Sequence, residues 1–262
     1  MPAPEPNPLR ILILEADHPF PGTTRKYGGY GGVFTSLLMQ ATVHSSLSLR
    51  VHNVVDAPPP SLAALHAEGT DGILISGSKA NAFDDEPWIT ALVAFLREVL
   101  AEQKIRLVGV CFGHQIIARA LGCAVKRGDE GWEASVTPVP LTGRGKELFG
   151  KEILNIFQMH RDIVTSLPED AENLGATDKC AIQGMYSETR GFITVQGHPE
   201  FTPKIVDEIL RARRKAGIFS EEQFEDMISR LENAHDGVLV ANAFLKFVKE
   251  GVDKGAARCC ST

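Results

Sequence analysis

Three residues of this 262-residue chain have the types and settings that nucleophilic chemistry needs: Cys111, His198 and Glu200. Cys111 lies in Gly109-Val110-Cys111-Phe112-Gly113-His114-Gln115, after the apolar run Ile105-Arg106-Leu107-Val108 and before the helix-like Ile116-Ile117-Ala118-Arg119-Ala120-Leu121. A strand that turns sharply into a helix through small residues holds the turn residue strained and exposed, an arrangement called a nucleophile elbow when that residue is serine. Glycines flank the turn because a β-carbon would block so tight an approach. The helix N-terminus favours thiolate over thiol at this position. His198-Pro199-Glu200 closes another apolar run, Gly191-Phe192-Ile193-Thr194-Val195-Gln196. In an extended segment residues two apart face the same side. Glu200 can therefore orient the imidazole of His198, which in turn serves the thiol, the logic of a nucleophile–base–orienter triad.

Blander readings compete with this one. A single cysteine is more often an inert core thiol, but glycines around it and a His-x-Glu elsewhere argue against that. His-x-Glu also opens the zinc deaminase signature, which requires a downstream Pro-Cys-x-x-Cys. The later cysteines include only the adjacent Cys259-Cys260 near the end, so no metal is expected. His114, three residues after Cys111, is expected to point along the helix rather than at the thiol.

The elements that must position these groups read as an α/β alternation. Arg10–Leu14, Ser48–Val55 and Asp71–Ile75 read as strands, and Val33–Met39 and Trp88–Leu100 as helices. The order implies a mostly parallel sheet with helices on both faces. Ligands bind such sheets beyond the carboxyl ends of the strands, where the segments at Asp17, Ser76 and Cys111 would meet. Asp17–Gly22 and the glycine-rich Tyr27–Gly32 read as loops near the rim; the latter fits no phosphate-binding fingerprint. Past Gly122, short segments at 134–139, 152–157 and 180–185 read as mixed or antiparallel strands extending the sheet. Three helices, around Lys204–Arg214, Ser220–Asn233 and Val238–Lys249, follow. We expect one domain over residues 10–250, with flexible ends at 1–9 and 251–262.

Bulk properties exclude several classes. Hydrophobic content of 44% and charged content of 23% are those of a soluble globular protein. A net charge of -6 without a basic stripe speaks against nucleic acid. No apolar run approaches the ~20 residues that cross a bilayer. Five irregularly spaced cysteines and no signal-peptide pattern suggest reduced thiols and a cytoplasmic location.

The motif Gly109-Val110-Cys111-Phe112-Gly113-His114-Gln115 resembles the G-x-C-x-G-x-Q elbow of class I (triad) glutamine amidotransferases. Gln196-Gly197-His198-Pro199-Glu200 resembles their closing G-H-P-E, and Ser76-Gly77-Ser78 their S-G-G oxyanion loop. The three stand in the family's order, over roughly residues 10 to 215. The DJ-1-like proteins share the fold and a cysteine elbow but place His directly after Cys, where this chain has Phe112. The resemblance implies a flavodoxin-like three-layer sandwich with a central, mostly parallel sheet, and no cofactor. It implies attack by Cys111 on a γ-glutamyl amide, with His198 as base and Glu200 behind it. Backbone N–H groups of Gly77, Ser78 and Phe112 would bind the oxyanion. Gln115 would lie beside the glutamyl group with His160 and Asp162 nearby, although capping or loop roles for these two stand beside that reading. Ser78 replaces a common glycine, which leaves a backbone donor only if the loop avoids positive φ.

Most of the family passes ammonia to a synthetase, yet no ATP-binding motif occurs in this chain. Tyr27-Gly28-Gly29-Tyr30-Gly31, Gly77-Ser78 with Trp88, and Gly131-Trp132-Glu133 are similar to the stand-alone GMP synthase-like branch, which includes γ-glutamyl peptidases. The expectation is a hydrolase of glutamine or γ-glutamyl peptides, acting on a small-molecule substrate. A glutaminase subunit serving a separate synthase, or a non-catalytic binding module, are the alternatives.

Overall fold

The computed structural model describes residues 7–41 and 46–259. The expected flexible ends at 1–6 and 260–262 lie outside these residues. In chain order the elements are β1 (Leu9–Glu15), α1 (Pro21–Tyr27), α2 (Tyr30–Leu38), β2 (Leu47–Asn53), α3 (Leu62–Ala67), β3 (Gly72–Ile75), α4 (Pro87–Glu102), β4 (Arg106–Val110) and α5 (Phe112–Ala120). There follow β5 (Val125–Arg127), β6 (Glu133–Pro140), α6 (Gly143–Phe149), β7 (Ile153–His160), β8 (Asp162–Val164), β9 (Glu172–Asn173), β10 (Gly184–Ser187), β11 (Phe192–Val195), α7 (Pro203–Lys215), α8 (Glu221–Ser229) and α9 (Gly237–Cys259).

A seven-stranded sheet in the order β2-β1-β3-β4-β11-β10-β9 forms the middle layer. Strands β2, β1, β3, β4 and β11 are mutually parallel, and β10 and β9 continue antiparallel. The continuous apolar runs are explained by burial on both faces. Alternate residues serve opposite layers. Ile11, Ile13, Leu74, Val108 and Val110 pack with Phe34 and Leu37 of α2 and Phe244 and Val248 of α9. Leu12, Leu14, Ile73, Ile75 and Leu107 pack with Ile89, Leu92 and Leu96 of α4 and Ile116 and Ile117 of α5. Each such side chain removed from water contributes about 2 kcal/mol, so a one-residue slip of any central strand would exchange both sets at once. The result is a three-layer α/β sandwich.

Several local expectations are corrected. Pro21 and Gly22, expected to end a loop, open the helix Pro21–Tyr27: Pro21 sits at its first position, and the Glu208 carboxylate accepts from Gly22 N at 2.6 Å and Thr23 N at 3.0 Å. Tyr30–Gly32 already belongs to α2, with Glu15 Oε1 accepting from Gly31 N at 2.6 Å. Strands β6 and β7 pair antiparallel with each other as a separate ribbon and do not extend the main sheet. That ribbon has its own apolar layer, in which Ala134, Val136 and Phe157 meet Ile205 and Ile209 of α7 and Phe224 of α8. Residues 180–183 carry no strand, and the pairing begins at Gly184. At the other end α9 continues through Cys259, past the boundary expected at 250. Among the described residues, no helix is long and apolar enough to cross a membrane.

Candidate active site

Strands β1, β3, β4 and β11 are parallel neighbours, so their carboxyl ends open on one edge of the sheet. The segments that follow them carry Asp17, Ser76–Ser78, Cys111 and Gln196–Glu200. One edge thus gathers what is scattered over nearly two hundred residues.

Cys111 is the N-cap of α5, with φ 53° and ψ -103°, in the left-handed half of the map that a side chain disfavours. Two hydrogen bonds hold the turn: Cys111 N donates to Val195 O at 3.0 Å, and Gly113 N to Ser76 O at 3.1 Å. The flanking glycines answer to contact, not to dihedral angle. A Cβ on Gly109 would stand 2.6 Å from Gly113 O, and one on Gly113 would run into the Ile75 carbonyl. Helix and strand can approach this closely only without side chains there. Phe112 stacks on Trp88, their centroids 5.5 Å apart, and anchors the first turn.

His198 is fixed from three directions. Its N–H donates to Phe157 O at 2.7 Å, its ring lies flat on Phe201 at 3.9 Å, and its Nδ1 is 2.8 Å from Glu200 Oε1. Both side chains are almost wholly buried. With Nδ1 engaged, Nε2 is the nitrogen left for the thiol. Burial alone would lower the imidazole pKa. The Glu200 carboxylate, then the charge and hydrogen bond of Cys111, reverse this and raise it to about 10. Glu200, His198 and Cys111 therefore form one electrostatic unit. His114 takes no part in it: its Nδ1 is 2.8 Å from Thr194 Oγ1, and burial, assisted by His160, lowers its pKa to about 3. Cys180 is also no rival, since burial pushes its thiol up to about 12.

The Ser76–Ser78 loop lies across from the elbow. Ser76 Oγ accepts from Ala16 N and donates to Gly77 O, each at 2.9 Å. Gly77 packs against the histidine, and a Cβ on it would be 2.7 Å from His198 Cε1. Ser78 does not occupy positive φ, so the serine brings no strain. Among the described residues, the backbone N–H groups of Gly77, Ser78 and Phe112 have no hydrogen-bond acceptor. Unpaired donors beside a nucleophile are the raw material of an oxyanion hole.

Two recesses meet at Cys111. One is lined by Gln115, Asn81, His160, Arg161 and Asp162. Gln115 is buried, and its Nε2 donates to Asp162 O at 2.9 Å and Gln196 Oε1 at 3.1 Å. His160 Nε2 stands 3.0 Å from Glu133 Oε2, at ion-pair distance but off the hydrogen-bond line. Burial works to raise the Glu133 pKa, but His160, with Thr177 and Gln183, holds it below the ordinary carboxylate range. Asp162 Oδ1 accepts from Arg127 Nε at 2.7 Å. The His160 and Asp162 side chains are thus engaged within the protein while they line the recess. The other recess holds His198 and Glu200 with Asp17, Phe20, Tyr30 and Phe201. A hollow of about 710 Å³ between β6 and α8 does not reach Cys111. Among the described residues, no His, Cys, Asp and Glu cluster is arranged to hold a metal ion.

Sequence reasoning did not single out Phe201, Lys79 or Arg213, which all line this edge. Arg213 was concealed in Arg211-Ala212-Arg213-Arg214, which has the look of a solvated face.

The fold and the cysteine edge define an α/β protein of amidotransferase architecture. A glutamine amidotransferase from Thermotoga maritima superposes with a TM-score of 0.72 at 18% identity, covering 92% of this chain and 99% of its own. One from Methylobacillus flagellatus gives 0.72 at 19%, covering 95% and 96%. The family model "Glutamine amidotransferase class-I" matches residues 30–214. A glutamine amidotransferase-like protein of Schizosaccharomyces pombe is 38% identical over 92% of this chain and 98% of its own length. Gamma-glutamyl peptidase 4 of Arabidopsis thaliana is 36% identical over 76% and 78%. A glutamine-hydrolysing GMP synthase of Bordetella bronchiseptica is 29% identical over 78% of this chain but only 36% of its own. The chain belongs to the class I glutamine amidotransferase family.

Proposed function

We propose that this protein hydrolyses γ-glutamyl amide bonds, of glutamine or of γ-glutamyl peptides, through a γ-glutamyl thioester on Cys111. The observation that carries the reading is the buried His198–Glu200 pair beside Cys111, facing backbone donors that lack an acceptor. His198 takes the thiol proton, and the sulfur adds to the γ-carbonyl carbon. The N–H groups of Phe112 and of Gly77 or Ser78 receive the oxyanion, a donor set in which each member is worth about 100- to 1,000-fold in rate. The C–N bond breaks as His198 returns the proton to the departing nitrogen. Water, deprotonated by His198, then adds to the thioester, and glutamate leaves as the thiol is restored. Glu200 keeps the ring oriented throughout. Gln115, His160 and Asp162 shape the acyl recess.

The similarity to γ-glutamyl peptidases supports a self-contained hydrolase. The similarity to part of a GMP synthase favours a second reading, a glutaminase delivering ammonia to a separate synthase. Glutamate release from glutamine, glutathione and a glutathione conjugate tests the first, with Cys111→Ala as control. Cleavage by wild type and at least a 1,000-fold loss in the variant is the expected result. If no substrate is cleaved and a glutamine-mimicking diazo-ketone leaves Cys111 unlabelled, the hydrolase reading fails. Weak glutaminase activity that rises only when a synthase is added would favour the second.

A further inference from the structure

The departing amine must take its proton from His198, so it must lie on the His198 side of Cys111. Of the two recesses that meet there, the one with Gln115, His160 and Asp162 lacks His198, and the other contains it. The first therefore receives the glutamyl group and the second the leaving amine.

The charges of the leaving-group recess are nearly all matched internally. Glu200 is engaged by His198. Asp17 accepts from His18 N and Lys79 N and pairs with Lys79 Nζ at 3.2 Å. Lys79 Nζ also donates to His18 O. Burial, together with Asp17 and Glu200, raises the Tyr30 pKa far above its usual value, so that phenol is neutral. Arg213 is the exception. Its guanidinium lies 4.1 Å over the Trp132 ring, and no carboxylate lies within ion-pair distance among the described residues. Its Nη1 is buried without a hydrogen-bond partner. The residue is half-buried; a guanidinium with a buried, unpaired donor is costly, and its forked donors match a carboxylate.

Trp132 carries a second cation, with Arg161 Cζ 5.1 Å from the same ring. Arg161 lines only the glutamyl recess, whereas Arg213 stands where the two recesses meet, lining both, and is the one of the pair that reaches the leaving-group side. Burial lowers the Arg213 pKa, with Arg161 adding to that and Cys111, Tyr30 and Asp17 opposing it, and an anion at the fork would relieve the cost. A γ-glutamyl amino acid carries two carboxylates, one on each side of the scissile bond.

Building on the hydrolase reading above, we propose that Arg213 binds a carboxylate of the leaving amine. The preferred substrates are then γ-glutamyl amino acids or short γ-glutamyl peptides rather than glutamine.

Comparing γ-glutamylglycine with γ-glutamylethylamide, which has the same bond without the carboxylate, tests this. Wild type should favour γ-glutamylglycine in kcat/KM. Arg213→Gln should reduce that preference about 10- to 100-fold, the usual worth of a charged hydrogen bond, and Arg213→Lys should restore part of it. The ratio is insensitive to a general loss of folded enzyme. An equal loss on both substrates, or an unchanged ratio, overturns the assignment while leaving the hydrolase reading intact. A wild-type preference for the ethylamide does the same. If wild type cleaves neither these nor glutamine, the hydrolase reading falls and this inference with it.

Discussion

Replacing Glu200 by Gln removes one charge from a site where it has no solvent to screen it. The carboxylate sits 2.8 Å from His198 Nδ1, and it is the leading influence that raises the histidine against the effect of burial. The rise from 6.5 to about 10 corresponds to at most about 5 kcal/mol favouring imidazolium. Cys111 shares that effect, so removing Glu200 forfeits roughly half of it, which sets a floor of about 100-fold in rate. Loss of tautomer control takes triads of this logic toward about 10,000-fold. The expected kcat of Glu200→Gln therefore lies between these limits on whichever γ-glutamyl substrate wild type cleaves. Stability provides a second readout. The folded pKa of His198 lies above its unfolded value, so the contribution is complete below about 6.5 and is lost as pH rises through about 10. Unfolding free energy from urea titrations should fall across that window in wild type and fall less in Glu200→Gln. A variant within tenfold of wild-type kcat, with an unchanged pH slope, would refute the assignment of Glu200 as orienter.

Other substitutions separate scaffold from chemistry. Gly113→Ala places a methyl against the Ile75 carbonyl, a backbone atom that cannot swing away, and should cost about 1–3 kcal/mol or more in chemical denaturation. Gly77→Ala meets His198 Cε1 at 2.7 Å, so it should lower kcat at least tenfold, with a smaller effect on the melting temperature. Glu133→Ala leaves His160 buried without its carboxylate and should destabilise the protein by about 3–5 kcal/mol in the same denaturation assay.

What could be read in advance followed from chemistry that is local in the chain. The elbow and His198-Pro199-Glu200 are contiguous motifs, and strands such as Gly72–Ile75 are buried on both faces and show as uninterrupted apolar runs. The misread segments depend on partners far away. Helix α1 begins at a proline-glycine pair whose Gly22 N–H is capped by a carboxylate 186 residues later. The β6–β7 ribbon alternates like an edge of the main sheet, and only α7 and α8 reveal that one of its faces packs in a layer away from that sheet. Arg213 carries no local mark at all, because its partial burial comes from Trp132 and the neighbouring recesses.

The backbone at Cys111 has a wider consequence. With φ 53° and ψ -103° it occupies ground where glycine would rest without penalty, and holding a side chain there costs of order 1–3 kcal/mol. Folding and reactivity thus pull in opposite directions at a single codon. A library screened only for heat resistance should enrich Cys111→Gly, a sturdier and inert protein. Persistence of the thiol in any thermally evolved lineage would therefore report selection for turnover rather than for the fold.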